Sequence, residues 1–253
     1  MSTKYVVVTG AAGGIGKACV QMLLADGCHV FGLDIRPIDL GTSRMGEGSG
    51  KLSPLHCDVS DSASVDAAFA DIGKATDRLH ALVCCSGIIR SSAMGTMANE
   101  VFDTVMAVNV RGPWLCAKAA LPRLARAATP SDPARIVFIS SVAALRPKLG
   151  GGAYSASKAA LENIMRALAA ELASKSILVN AVAPGPVDTP FVQQALQDAK
   201  ADALYKPSLP PPIGRVANVG DVAAVVKFLL GAGSNYVTGG VIPVDGGISA
   251  LRA

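Results

Sequence analysis

Two hydrophobic patterns alternate along the chain. Short runs that are apolar at nearly every position recur as KYVVVTG (4–10), HVFGLD (29–34), PLHCDV (54–59), ALVCCSG (81–87), RIVFIS (135–140), SILVNAVAP (176–184) and VIPVDGG (241–247). Between them, apolar residues return at helical spacing in GIGKACVQMLLADG (14–27) and in stretches at about 62–75, 98–127, 154–174 and 219–231. Strands that are apolar throughout, alternating with helices, predict a parallel sheet covered on both faces. No linker, composition break or repeat divides residues 1–253, so one α/β domain is expected. Two segments lack either period. Residues 37–53 (PIDLGTSRMGEGSGKLS) read as a surface loop, and residues 186–218, which hold QQALQDAK and SLPPPIGR, read as a substrate loop or lid.

Composition narrows the function classes. With 51% apolar and 17% charged residues the chain can bury a substantial core, and its net charge of +4 is scattered rather than gathered into a nucleic-acid footprint. Cys19, Cys28, Cys57, Cys84, Cys85 and Cys116 show no CxxC spacing, which suits small core residues in a reducing compartment. His29, His56 and His80 each edge an apolar run, so no metal site is expected. MSTKYVVV runs directly into a strand, and no apolar run reaches membrane-spanning length. The expectation is a soluble, cytoplasmic protein that binds neither membrane nor nucleic acid.

Three places carry chemistry. TGAAGGIGKA sets Gly10, Gly14 and Gly16 between the first strand and first helix, where glycine permits a sharp turn and close approach of backbone to a pyrophosphate. Asp34 ends the second strand, where a carboxylate accepts from a ribose 2′-hydroxyl and repels a 2′-phosphate. That favours NAD over NADP, with Arg36 the one nearby cation able to oppose the choice. In GAYSASKAAL, Tyr154 and Lys158 share a helix face one turn apart. An ammonium beside a phenol favours the phenolate and would pull the tyrosine toward working pH. The alternative for this pair is a surface contact on an alanine-rich helix.

Taken together, TGAAGGIG, VNVRG around Asn109, ISS at 139–141, YSASK and PGPVDTP resemble, in order and over essentially the full chain, the classical short-chain dehydrogenase/reductase family. The resemblance implies a single doubly wound Rossmann-type domain with a seven-stranded parallel sheet. It also implies reversible hydride transfer between a carbinol or ketone carbon and a nicotinamide. Tyr154 then matches the general acid/base, and Lys158 the group that lowers its pKa and holds the nicotinamide ribose. Ser141 matches the hydroxyl on the substrate oxygen, and Asn109 the residue that positions a water in the proton relay.

The same resemblance lays the cofactor along Gly10, Gly14, Ile15 and Gly16, then Asp34 and Ile35. Asp58 and Val59 would meet the adenine, with Ser86 and Gly87 at the end of the fourth strand. Pro184, Gly185, Val187 and Thr189 would meet the nicotinamide end, Thr189 and the Val187 N–H at the carboxamide. Ala159, Ala160, Ile164, Met165 and Leu168 make the 154–174 helix apolar most of the way round, so it is buried within the subunit or against another. The family pairs such helices across subunits, which implies a homotetramer, or else a dimer. One departure stands out: Cys84-Cys85-Ser86-Gly87 replaces the family's usual Asn-Asn-Ala-Gly. Two buried thiols acting as small hydrophobes are expected there, against a redox-sensitive pair.

Ile88, Ile89, Val142, Leu145, Leu149 and Phe191 suggest an apolar pocket, while Arg90, Arg146 and Lys148 could receive an anionic group at its mouth. An NAD-dependent enzyme acting on a secondary alcohol or ketone, such as a hydroxysteroid or alicyclic alcohol, is therefore expected. The alternatives are a 3-hydroxyacyl-thioester or 3-oxoacyl enzyme using NAD(P), and a non-enzymatic NAD(H) sensor or scaffold. The last would usually have lost Tyr154 or Lys158.

Overall fold

The computed structural model describes residues 3–40, 50–147, 149–189 and 210–251. Seven parallel strands form one sheet in the order β3-β2-β1-β4-β5-β6-β7. They are β1 (Tyr5–Thr9), β2 (His29–Asp34), β3 (Lys51–His56), β4 (Ala81–Cys84), β5 (Ala134–Ile139), β6 (Ile177–Pro184) and β7 (Val241–Val244). Helices α1 (Gly14–Ala25), α2 (Ser62–Ala75), α3 (Asn99–Met106), α4 (Gly112–Ala127), α5 (Gly152–Leu172) and α6 (Val219–Leu230) connect them. The order reverses between β1 and β4, the switch point where a doubly wound sheet opens a crevice at its carboxyl edge.

Successive side chains of a strand point to opposite faces, so a sheet covered twice needs apolar residues at every position. Val7 of β1 and Ile136 and Phe138 of β5 join one core, with Phe69 of α2, Leu124 of α4 and Met165 of α5. Val6 and Val8 of β1 and Val137 and Ile139 of β5 join the other, with Leu23 of α1 and Val226 of α6. The uninterrupted apolar runs of the sequence are these two cores interleaved.

Three boundaries differ from the sequence expectation. β3 begins at Lys51, inside the segment read as loop, and ends at His56 rather than running through Val59. It is an edge strand with no fully buried side chain, three of its six residues being exposed, and its pairing with β2 defines it more than its hydrophobicity does. Pro54 fits such an edge, and Cys57 and Val59 are buried in the turn beyond it. The 98–127 stretch is interrupted at Ala107–Arg111 by a π turn that holds Asn109. Most of the expected 186–218 loop, residues 41–49, Lys148 and Phe191 lie outside the described residues.

The glycine-rich turn is set by space. Gly10 has φ of +65°, and a Cβ there would lie 2.7 Å from the Ser86 nitrogen. A Cβ on Gly16 would overlap the Gly10 carbonyl oxygen. Gly16→Ala should therefore cost at least about 1–3 kcal/mol through forced backbone movement. Gly95, with nothing within 4 Å of a built Cβ, supplies the control. Comparative melting should show Gly16→Ala several degrees less stable than the parent and Gly95→Ala close to it; equal Tm values would refute this account of the turn.

Candidate active site

The sheet's carboxyl edge gathers most of the candidate residues. Helix α1 starts with no side-chain cap at Gly13, which leaves its first N–H groups and its positive end open to an anion. Gly14 lies directly beneath Thr189, whose methyl would be 2.8 Å from a Cβ at that position. Glycine at these positions and an uncapped helix start fit a cofactor's pyrophosphate. Ile15 follows on the first turn of α1 and packs against the second core.

Asp34 is 7% exposed and already engaged at both oxygens. Oδ2 accepts from the Ala12 N–H at 3.0 Å and Oδ1 from the Arg36 N–H at 2.9 Å. The Arg36 Nε stands 3.4 Å from Oδ1, and its guanidinium reaches within 3.8 Å of a Gly13 Cβ position. The carboxylate thus braces the glycine-rich turn. Ile35, the next residue, is 60% exposed. Asp58 Oδ1 accepts from the Ser60 N–H and hydroxyl, ordering the turn after β3. Val59 packs its side chain into the core against Gly112.

At the centre, the end of β5 meets one stripe of α5. The Lys158 Nζ donates to the Ile139 carbonyl at 2.8 Å. Ser140 Oγ donates to Glu162 Oε1 at 2.8 Å. The Ser141 hydroxyl hydrogen-bonds the Tyr154 side chain, and Ser141 Oγ also accepts from the Ala143 N–H at 3.2 Å. Lys158 Nζ is 5.7 Å from the Tyr154 ring centroid. The surface-pair alternative is therefore overturned: Lys158 is 3% exposed, and the small residues Ala153, Ser155 and Ser157 bury the helix on either side.

The electrostatics differ from expectation. Burial pushes the Tyr154 phenol up to about 12, with only the Ser141 hydrogen bond opposing. Burial also pulls the Lys158 amine down to about 8, opposed by Cys85, Cys84 and Glu162. The anticipated depression of the phenol by the ammonium does not occur in this fold, because desolvation dominates both groups. The site presents a protonated phenol at neutral pH.

Asn109 Oδ1 accepts from the Ile88 N–H at 2.8 Å, and its Nδ2 donates to the Ile88 carbonyl at 2.8 Å and to Ser157 Oγ at 3.0 Å. It clamps the chain after β4 to α5. A Cβ on Gly87 would lie 3.4 Å from Asn109 Oδ1 and 3.6 Å from Lys158 Nζ, so that chain passes close over the ammonium. The Ser86 N–H donates to Thr9 Oγ1 at 3.2 Å. Pro184 ends β6, and Gly185 passes so close to Asp245 that a Cβ would meet its Cα at 2.9 Å. Val187 is buried in the core and bridges Ala217, while Thr189 is 4% exposed over Gly14.

Cys84 is buried, and burial raises its thiol well above the ordinary range. Contact with Cys19, then burial, raises Cys85 similarly. Both are protonated at working pH, which favours the hydrophobe reading over the redox one. At the mouth, Leu145 and Leu149 are exposed, Arg146 is tied to the Ile248 carbonyl at 3.2 Å, and Arg90 turns back to the Ile89 carbonyl. Among the described residues there is no group of His, Cys, Asp or Glu able to hold a metal, and no helix long and apolar enough to cross a membrane. Sequence reasoning overlooked Glu162, although its position four residues past Lys158, on the same helix stripe, was a signal.

A family model described as enoyl-(acyl carrier protein) reductase matches residues 10–249. The 3-oxoacyl-[acyl-carrier-protein] reductase FabG of Thermotoga maritima is 34% identical over 247 residues, 97% of each chain. Cyclopentanol dehydrogenase of Comamonas sp. is 34% identical over 254 residues, 99% of this chain and 98% of the relative. The solved ligand-free aldohexose dehydrogenase of Thermoplasma acidophilum superposes with a TM-score of 0.86 at 28% identity, over 99% of this chain and 95% of that one.

Tyr154→Phe is expected to lower turnover about 100-fold or more while leaving nicotinamide cofactor affinity nearly intact. Single-turnover rates with a parallel cofactor titration check this, and more than about a tenth of the parent rate would remove Tyr154 from proton transfer. Lys158→Ala should lose both rate and cofactor affinity. Unchanged affinity in that variant would mean the ammonium does not reach the cofactor.

Proposed function

The chain belongs to the classical short-chain dehydrogenase/reductase family, whose members are oxidoreductases acting on alcohol and ketone groups, and on that premise we propose the finer reading. It is an NAD-dependent enzyme that interconverts a secondary alcohol and its ketone on a largely apolar body, such as a hydroxysteroid or alicyclic alcohol. The observation that carries this reading is the paired Ser141 hydroxyl and Tyr154 phenol with Lys158 behind them. Bound nicotinamide supplies the hydride acceptor or donor. Tyr154 gives its proton to the substrate oxygen in reduction and takes it back in oxidation, and Ser141 holds that same oxygen by hydrogen bonding. Lys158 serves the phenol and the nicotinamide ribose, while Asn109 keeps the overlying chain in place and positions a water of the proton relay.

Exposed Leu145 and Leu149 support an apolar substrate. Self-association as a homotetramer, or a dimer, is supported by an open hollow of about 370 Å³ between α3, α4 and α5, where Trp114 is exposed beside part-buried Met106, Val110 and Ile164. A cytoplasmic setting suits its six free thiols.

One observation favours a second reading, a 3-oxoacyl-thioester reductase using NADP: Arg36, with its side chain 63% exposed, leans toward Gly13 at the ribose end of the crevice. A panel of cyclic and steroidal alcohols, their ketones and an acetoacetyl thioester, each with NAD(H) and NADP(H) and read by NADH or NADPH absorbance, separates the two. The retained Tyr154 and Lys158 weigh against a sensor or scaffold, and absence of turnover across the panel would revive it.

Cofactor choice is expected to follow Asp34. A carboxylate set against a 2′-phosphate costs several kcal/mol even at an effective dielectric near ~20, on the order of a hundredfold in preference. Asp34→Ala should weaken NAD, improve NADP and make Arg36 the main phosphate ligand. Its melting temperature must be followed too, because Asp34 also bonds Ala12. The decisive quantity is kcat/KM for NAD against NADP with one substrate, and a parent that prefers NADP would overturn the assignment.

A further inference from the structure

Glu162 is a buried carboxylate that the proton transfer above leaves unused. It is 4% exposed and lies on α5 one turn past Lys158 and two past Tyr154. Three consecutive residues at the end of β5 therefore engage three residues on one helix stripe. Ile139 meets Lys158, Ser140 meets Glu162 and Ser141 meets Tyr154. A carboxylate this deep is costly unless it is paired and hydrogen-bonded. Its Oε1 has the Ser140 hydroxyl at 2.8 Å, and its Oε2 faces Arg166 at 3.4 Å. The Arg166 side chain is 49% exposed, so solvent screens that cation.

The charges around the pair leave Glu162 a distinct role. Toward Lys158, α5 offers Tyr154 and Glu162, and the end of β4 offers Cys84 and Cys85. The end of β5 presents the Ile139 carbonyl, and Asn109 Oδ1 of the π turn and Lys158 Nζ both lie close to the Gly87 Cβ position. Asp103 and Arg111 border the hollow beside Ile164, on the other side of the helix. Both thiols are protonated at working pH, which leaves Glu162, one turn along the same buried stripe and bonded to the residue next to the Lys158 acceptor, as the carboxylate among these groups.

We propose that Glu162 is a positioning residue of the reaction centre, fixing the end of β5 through Ser140 and serving Lys158 as the buried counter-charge that keeps it an ammonium. This rests on the dehydrogenase reading of the same site. Glu162 touches neither the reacting atoms nor the cofactor crevice. It acts through Lys158 and through the strand that carries Ser141.

The test follows the Lys158 ionisation directly, by NMR of the cofactor-free protein labelled with 13C at the lysine ε-carbon. The signal is assigned by its loss in Lys158→Arg. The parent midpoint should lie near 8, where burial places it. Glu162→Gln keeps an acceptor for Ser140 but removes the charge, and should lower the midpoint by about one pH unit or more. Glu162→Asp should restore most of the shift. Arg166→Gln, at a surface position that spares folding, should move the midpoint the opposite way, upward. Ser140→Ala should leave the midpoint in place and lower kcat about tenfold with KM little changed.

In an active parent, the alkaline limb of the kcat/KM profile should move with the NMR midpoint in every variant. An unmoved midpoint in both Glu162→Gln and Arg166→Gln would overturn the counter-charge. An unchanged kcat in Ser140→Ala would overturn the strand-fixing role. Should no substrate of the panel turn over, the dehydrogenase reading fails, while the NMR midpoints still decide the role of Glu162.

Discussion

The seating of an ammonium inside the protein, against the last carbonyl of a central strand, is the constraint on which the rest of the site depends. Removing Lys158 from water costs several kcal/mol, and the fold must return most of it through contacts that allow little movement. The Ile139 carbonyl supplies one, and Glu162 supplies the charge. Small residues follow from that demand. Ala153, Ser155 and Ser157 are buried on α5 around Lys158, where larger side chains would hold the helix away from its neighbours. Tyr154 then needs no separate device to place it, since a residue one turn earlier on the same stripe falls beside Ser141.

The cofactor end obeys a second constraint, close approach of backbone to backbone. Gly10 against Ser86 and Gly16 against Gly10 bring β1, α1 and the end of β4 into one cradle. Asp34 belongs to that cradle structurally because it accepts the Ala12 N–H. Its charge therefore serves the turn. Its ion pair with Arg36 holds that cation beside the same turn, near Gly13.

Much of this was legible in the sequence because it depends on local period and spacing. Strands buried on both faces read as unbroken apolar runs, the glycine spacing followed the first strand, and Tyr154 and Lys158 fell one helical turn apart. What escaped depended on distant partners. β3 exists through pairing with β2 and carries little hydrophobic signal of its own. The π turn at Asn109 leads into α4, whose Gly112 sits so close to Val59 that a Cβ there would crowd it. The direction of the Tyr154 shift was missed because burial is a tertiary property. A lysine at the right spacing says nothing about how much water the phenol has lost. Glu162 is legible only once α5 is known to face the end of β5.

The same reasoning accounts for Cys84 and Cys85, where the family commonly has two asparagines. Amide side chains at such positions would brace the chain leaving β4, and thiols cannot. Here the bracing comes from other groups. Thr9 takes the Cys85 N–H on its carbonyl and the Ser86 N–H on its hydroxyl. Asn109 binds both backbone groups of Ile88. With the chain held on both sides, the β4 terminus needs only side chains that fill space. Cys84 lies under Pro113 and Cys85 against Cys19, both as neutral thiols that cost little to bury. Replacing amides with thiols also keeps additional hydrogen-bonding groups away from Lys158, whose ammonium passes just beneath Gly87. The departure is thus compatible with the reaction because backbone clamps from β1 and the π turn fix this loop.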